Sequence, residues 1–170
     1  MQNLITSRVG NLLGFGAGAG MMMFALFAQY VLKMEPCPLC ILQRVAVITL
    51  SAVFLVAAIH RAGKIGRRIY ATLLALVALA GAGVSGRHVW LQNLPKDQVP
   101  SCGPDLDFML DTFPIMEVLR TVLSGSGECA EVVWRFLGLT IPGWTLIALL
   151  TLGVYGVWVN WSVKKTAAEA

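Results

Sequence analysis

Four long apolar runs alternate with polar connections along this chain. The second run contains a single charge, Arg44, and the four runs are Val9–Leu32, Ile41–Ile59, Ile69–Gly86 and Trp144–Val163. A helix needs roughly 20 residues to cross about 30 Å of hydrocarbon, so each run can form one membrane span. The pattern predicts an all-α membrane protein, a four-transmembrane-helix bundle in a single membrane domain, 1–170, with spans at about 10–32, 41–60, 69–90 and 144–163.

The first run has two readings. Arg8 precedes it and small residues lie within it, as in a secretory signal. A signal's apolar region is only about 7–15 residues long, and three further spans follow here, so we favour a membrane span. Small residues allow helices to approach closely, which predicts packing against a neighbouring helix through Gly14, Gly16, Gly18 and Gly20.

Composition agrees with a membrane location. Hydrophobic residues make up 57% of the 170 residues and charged residues 13%, and the mean hydropathy is +0.74. A soluble domain of this composition would lack the polar residues to cover its surface. The surroundings that we predict are therefore a lipid bilayer.

The distribution of charge predicts the orientation. One side of the predicted bundle carries Arg8, Arg61, Lys64, Arg67, Arg68, Lys164 and Lys165. By the positive-inside rule this side is cytoplasmic, so both termini and the loop at 61–68 are cytoplasmic, and the loops at 33–40 and 91–143 are periplasmic. The net charge of +4 is thus a signal of topology, and it does not indicate a nucleic-acid partner.

All four cysteines fall on the predicted outer side: Cys37, Cys40, Cys102 and Cys129. In a bacterium that side is oxidising, so we expect the cysteines to act as thiols or disulfides. Cys37 and Cys40 have the two-residue spacing of redox-active dithiols. A structural disulfide or half of a zinc site is the alternative, but zinc is disfavoured because 26 residues separate Cys102 from Cys129. We predict no metal.

Arg44 lies four residues after Cys40, one helical turn deeper on the same face. An arginine inside the membrane boundary is energetically costly and usually marks a functional site. It can stabilise a Cys40 thiolate and donate hydrogen bonds to a buried polar head group such as a quinone carbonyl. The alternative is a side chain that snorkels to the lipid headgroups.

The polar segment Gln92–Gly143 is the part of the chain able to meet a soluble protein. Its prolines and the run Ser124–Gly127 predict a loop-like, mobile backbone, where a Cys102–Cys129 disulfide is open to attack or is simply a loop staple. An apolar stripe at helical spacing within it can lie in the headgroup plane or face the core of a periplasmic cap: Ile115, Met116, Val118, Leu119 and Val122.

His88 ends the third span at the same outer depth as Cys40 and Arg44. It is either an ordinary interfacial histidine or a proton donor to a reduced quinone.

Taken together, these motifs resemble the bacterial disulfide bond formation protein B family, DsbB. The resemblance covers the four spans and the stretches Cys37–Arg44, Arg87–Gln92 and Gly127–Glu131, followed by Trp134, Phe136–Leu139 and Pro142–Trp144. It implies an inner-membrane enzyme that oxidises a periplasmic DsbA-like thioredoxin-fold protein and delivers electrons to ubiquinone or menaquinone.

The resemblance also implies roles for individual residues. The partner's thiolate attacks Cys102 and releases Cys129, Cys129 attacks Cys37, and Cys40 is freed as a thiolate beside a quinone bound by Arg44, with His88 near the same head group.

Three other readings remain open. A vitamin K epoxide reductase-like quinone reductase is one, although its loop cysteines should precede the CxxC. The others are a four-span scaffold with structural disulfides and a paralogue with a dedicated partner.

Overall fold

The protein is described by a computed structural model over residues 7–60, 62–95, 97–99, 106–132 and 134–162. Four long helices carry the architecture: α1 (Ser7–Tyr30), α2 (Pro38–His60), α3 (Lys64–Gln92) and α7 (Ile141–Ser162). Between α3 and α7 lie α4 (Leu106–Thr112), α5 (Ile115–Ser124), α6 (Gly127–Ala130) and the strands β1 (Arg135–Phe136) and β2 (Leu139–Thr140).

The four long helices are each long and apolar enough to cross a membrane. The predicted four-helix membrane bundle is therefore confirmed. We call the end that holds the α1–α2 connection, the end of α3 and the start of α7 the outer end, and the opposite end the inner end. The cytoplasmic placement of the termini stays a prediction.

Two glycines of α1 bring that helix against α2. A Cβ atom at Gly14 would lie 2.7 Å from the Phe54 ring, and one at Gly18 would overlap the Ser51 side chain. Gly16 and Gly20 have no neighbour within 4 Å, so the predicted close packing is correct for two of the four glycines and wrong for the other two. Phe54 is fully buried in the bundle core beside Leu50, Leu74 and Leu149.

Two polar contacts join α1 to α7 at the inner end. The amides of Asn11 and Asn160 donate to each other, at 3.1 Å and 2.9 Å, and both side chains are buried. The Tyr155 hydroxyl also donates to the carbonyl of Gly10 at 3.0 Å. Because membrane lipid offers no competing hydrogen bonds, these contacts fix the pairing of the two helices.

The segment between α3 and α7 forms a small cap over the outer end. The predicted loop-like backbone is wrong for its described part, where α4, α5, α6 and an antiparallel β1–β2 hairpin form. Val118 and Val122 of α5 are buried against Leu39 and Leu91, the outer ends of α2 and α3. Apolar contact with the bundle thus orders this segment despite its prolines and glycines.

The core-facing alternative predicted for the apolar stripe is correct for Val118 and Val122 of α5, and the place of its other residues in the headgroup plane stays a prediction. Its valines face the core of the cap, whereas Ile115 and Met116 are 78% and 73% exposed. Arg87 of α3 binds the last turn of α5 through hydrogen bonds to the carbonyls of Leu123 and Ser124, at 3.3 Å and 3.1 Å.

Candidate functional site

The connection between α1 and α2 places two thiols at the outer end of the bundle. Pro38 begins α2, three residues before the predicted span, and the carbonyl of Cys37 accepts the first backbone hydrogen bond, from Ile41 at 3.1 Å. Proline suits this first helical position because no hydrogen bond is lost there. Cys40 therefore lies in the first turn of α2. The two sulfurs are 3.2 Å apart, half-buried and present as free thiols.

His88 of α3 lies beside this dithiol. Its side chain is only 2% exposed, and its Nε2 is 3.8 Å from the Sγ of Cys37. The other ring nitrogen, Nδ1, is 2.9 Å from the side-chain amide nitrogen of Gln43. The structure therefore brings the predicted residues Cys37, Cys40 and His88 together, with the histidine ring next to Cys37.

Gln43 is a site residue that the sequence analysis missed. It is buried on α2, three residues after Cys40, and its amide binds the His88 ring. The available signal was an amide side chain inside an apolar membrane run, where a polar group needs a partner on a neighbouring helix.

Cys129 lies on α6 and is almost completely buried, with 1% of its surface exposed. Its pKa is raised above the ordinary thiol value, first by a hydrogen bond with the Cys37 side chain and then by burial. The Ser126 hydroxyl, 3.5 Å from the Cys129 sulfur, opposes this rise. Cys37 packs against the buried cluster to which Cys129 belongs, while Cys102 lies outside the described residues and its pairing stays a prediction.

Arg44 is anchored to α1. Its guanidinium donates one hydrogen bond to Oε1 of Gln29 and another to the carbonyl of Ala25, at 3.2 Å. Among the described residues these hydrogen bonds run to α1 and not to Cys40, although both side chains line the same cavity. The side chain is half-buried between the helices, which differs from snorkelling to the headgroups.

That cavity, of about 440 Å³, lies between the outer halves of α1, α2 and α7. Its polar wall includes Cys37, Cys40, Gln43, Arg44, His88 and Gln92, together with the carboxylates of Glu35, Glu128 and Glu131. Its apolar wall comes mostly from the membrane-spanning helices and includes Met21, Met22, Phe24, Ala25, Val47 and Ala148. The Oε1 atom of Gln92 is buried without a hydrogen-bond partner among the described residues.

An aromatic cluster forms another part of the cavity wall. Trp134 stacks on Phe136 with ring centres 5.7 Å apart, and the indole nitrogen of Trp144 donates to the Phe136 carbonyl at 3.1 Å. All three side chains line the cavity. The tight β1–β2 turn that presents Phe136 requires positive φ angles at Leu137 and Gly138, 51° and 81°. None of these aromatics was predictable as a site residue from the sequence, because their approach to the cavity depends on that turn.

The comparison with known proteins agrees with this arrangement. The family model described as "Disulfide bond formation protein DsbB" matches residues 7–159. A disulfide bond formation protein B of Nitrosococcus oceani is 60% identical over 146 residues, 86% of each chain. One of Chromobacterium violaceum is 55% identical over 161 residues, 95% of each chain. With a match along nearly its whole length and a dithiol at the outer end of a four-helix membrane bundle, the chain belongs to the DsbB family of disulfide bond formation proteins.

Proposed function

We propose that this protein is a thiol:quinone oxidoreductase, which reoxidises a periplasmic DsbA-like thioredoxin-fold protein and passes the electrons to the membrane quinone pool. One observation carries the proposal. The Cys37–Cys40 dithiol forms part of the wall of a cavity whose remaining wall is largely apolar and lies between membrane-spanning helices. A lipid-soluble electron acceptor can reach such a site from the bilayer.

The residues present fit a quinone. A cavity of about 440 Å³ lies within the usual range of ligand sites, roughly 300–1,000 Å³. Arg44 offers N–H donors suited to a ring carbonyl, and the unpartnered Oε1 of Gln92 can accept a hydrogen bond from a ring hydroxyl. Met21, Met22 and Phe24 suit an isoprenoid chain. When bound, ubiquinone or menaquinone accepts two electrons and two protons.

Disulfide exchange connects the soluble partner to this dithiol. The partner's thiolate attacks Cys102, which forms a mixed disulfide and releases Cys129. Cys129 then attacks Cys37 of the Cys37–Cys40 disulfide, so that one S–S bond forms, one breaks and Cys40 leaves as a thiolate. The packing of Cys37 against the cluster that contains Cys129 supports this step, because exchange requires access of one sulfur to the other.

His88 contacts the sulfur that Cys129 attacks. If the Gln43 amide N–H donates to Nδ1, the neutral ring carries its proton on Nε2, the atom that faces the Cys37 sulfur. That N–H orients the Cys37 sulfur for attack, while the negative charge leaves on Cys40. His88 also lines the cavity, so this role is compatible with the expected position near the quinone head group.

The location that we propose is the bacterial inner membrane, with the cysteines on the periplasmic side. The basic residues around the α2–α3 connection and the chain ends support it, since positive charge favours the cytoplasmic side.

The test is to mix the purified protein with quinone and a reduced DsbA-like partner and to follow quinone absorbance. We expect stoichiometric quinone reduction, abolished in Cys40→Ser and much slower in Arg44→Leu. Arg68→Leu, an exposed arginine at the inner end, is the matched control and keeps the wild-type rate. A scaffold with structural disulfides predicts no dependence on Cys40 or Arg44, and unchanged rates in both variants would refute the proposal.

A further inference from the structure

Three side chains around the dithiol have the composition of a soft-metal site. The two sulfurs of Cys37 and Cys40 and a ring nitrogen of His88 all lie within 4.8 Å of one another. Sequence spacing disfavours zinc because a second close cysteine pair is missing. The fold supplies a third ligand from a different helix, 48 residues after Cys40 in the chain.

The distances suit a tetrahedral ion. Zinc–sulfur bonds of about 2.3 Å and zinc–nitrogen bonds of about 2.0 Å place two bound sulfurs roughly 3.8 Å apart and a bound sulfur and nitrogen roughly 3.6 Å apart. The corresponding distances here are 3.2 Å between the sulfurs and 3.8 Å from Cys37 Sγ to His88 Nε2. The Sγ of Cys40 lies within 4.8 Å of the His88 ring nitrogen, so side-chain movements of about an ångström complete the geometry.

The surroundings of His88 resemble those of a metal ligand. A ligating histidine almost always donates its second ring N–H to an outer acceptor. The amide of Gln43 contacts Nδ1, and turning that amide over presents its oxygen as the acceptor, which leaves the Nε2 lone pair facing the thiols. Both side chains are buried, so the ring orientation is fixed before an ion arrives.

We propose that the dithiol form of this protein binds a single thiophilic divalent cation of the zinc class through Cys37, Cys40 and His88, with the fourth position open to the cavity. Two thiolates neutralise the charge of a divalent ion, which favours the complex at a half-buried site. Binding releases the two thiol protons and moves no electrons. The disulfide form has no thiolates to offer and does not bind.

Binding would hold both sulfurs as metal thiolates, so that neither can take part in disulfide exchange. This consequence for turnover rests on the proposed function, whereas binding itself does not. The experiment therefore measures binding. Full-length protein in detergent is freed of quinone, reduced with a phosphine, desalted without oxygen and titrated with Co²⁺.

We expect the reduced chain to show the visible absorption of tetrahedral cobalt and a thiolate-to-cobalt charge-transfer band, both lost when Zn²⁺ is added. The same chain in its oxidised form shows neither band, and this comparison needs no mutation. Identical spectra from the two forms would refute the metal site and leave the oxidoreductase proposal untouched.

Variants assign the ligands. His88→Asn and Cys40→Ser lose the tetrahedral spectrum, whereas His60→Asn, at the exposed inner end, keeps it. Gln43→Leu weakens cobalt binding by about tenfold to a hundredfold, as expected for loss of an outer hydrogen-bond partner. A Cys102→Ser, Cys129→Ser double variant retains the spectrum. Loss of the spectrum in that variant, or its retention in His88→Asn, would show that the ion binds elsewhere.

Discussion

The side-chain amide of Gln43 and Nδ1 of His88 lie 2.9 Å apart between α2 and α3, with both side chains buried. A neutral histidine carries its proton on one ring nitrogen only, and a donor at Nδ1 leaves the proton on Nε2. Gln43 therefore determines whether His88 presents an N–H or a lone pair to Cys37.

Replacing Gln43 tests this control. Gln43→Leu should slow the exchange that frees Cys40 by about fivefold, since one buried hydrogen bond contributes roughly 1 kcal/mol and the ring can then adopt either tautomer. Stopped-flow quinone absorbance with the reduced partner measures the effect.

Gln43→Glu separates positioning from packing. A carboxylate accepts a hydrogen bond from Nδ1–H, so the neutral ring then presents the Nε2 lone pair to Cys37. Gln43→Glu should therefore slow the exchange at least as much as Gln43→Leu in the same stopped-flow assay, although glutamate has nearly the size of glutamine. A wild-type rate in Gln43→Glu would show that Gln43 serves packing alone.

The Gln29 side chain holds the Arg44 guanidinium at the cavity wall. Gln29→Leu removes one acceptor and leaves the carbonyl of Ala25 as the other. We expect the KM for quinone to rise several-fold with kcat nearly unchanged, because the thiols are not altered. Steady-state kinetics over a range of quinone concentrations measures this. Gln98→Leu, which replaces an exposed glutamine of the cap segment, is the control, and an equal change there would show that Gln29 does not position Arg44.

The raised pKa of Cys129 predicts its reactivity. Because the thiol is favoured over the thiolate, alkylation of Cys129 by iodoacetamide in the reduced protein should be slow at neutral pH and rise through the alkaline range. Cys37→Ala removes the largest cause of the shift, so the pKa should fall and alkylation at neutral pH should accelerate. Mass spectrometry of the labelled Cys129 peptide follows both rates. An unchanged pH dependence in Cys37→Ala would contradict the contact between the two thiols.

Gly18 and Gly16 form a matched pair on α1. A side chain at Gly18 would overlap Ser51 of α2, whereas Gly16 faces open space. Gly18→Leu should destabilise the bundle by about 1–3 kcal/mol, the usual effect of overpacking, and lower the thermal midpoint in detergent. Gly16→Leu should leave the midpoint within error, and equal effects would show that α1 packs differently.

Sequence patterns could predict the four spans because membrane crossing depends on length and hydrophobicity, properties carried by consecutive residues. Cys37 and Cys40 could be predicted as a dithiol for a similar reason, since their spacing lies within one helical turn. The cap was not predictable in this way. Its order comes from apolar contacts of Val118 and Val122 with the outer ends of distant helices.

The site contacts missed from sequence all join residues far apart in the chain. Gln43 binds His88, Gln29 binds Arg44, and Phe136 stacks on Trp134 only through a turn at Leu137 and Gly138. The sequence shows the type of each of these residues, but it does not show which residue lies beside it in the fold. An amide side chain inside an apolar run indicates that it has a hydrogen-bond partner. Which helix supplies that partner depends on how the bundle packs.

The paired asparagines Asn11 and Asn160 clasp α1 and α7 at one end, while the cavity separates the same two helices at the other. Because the asparagine pair is remote from the cavity, the outer ends of α1 and α7 can move apart without breaking it. For the proposed lipid-soluble electron acceptor, a gap between these two helices would be a lateral entry route to the sulfurs.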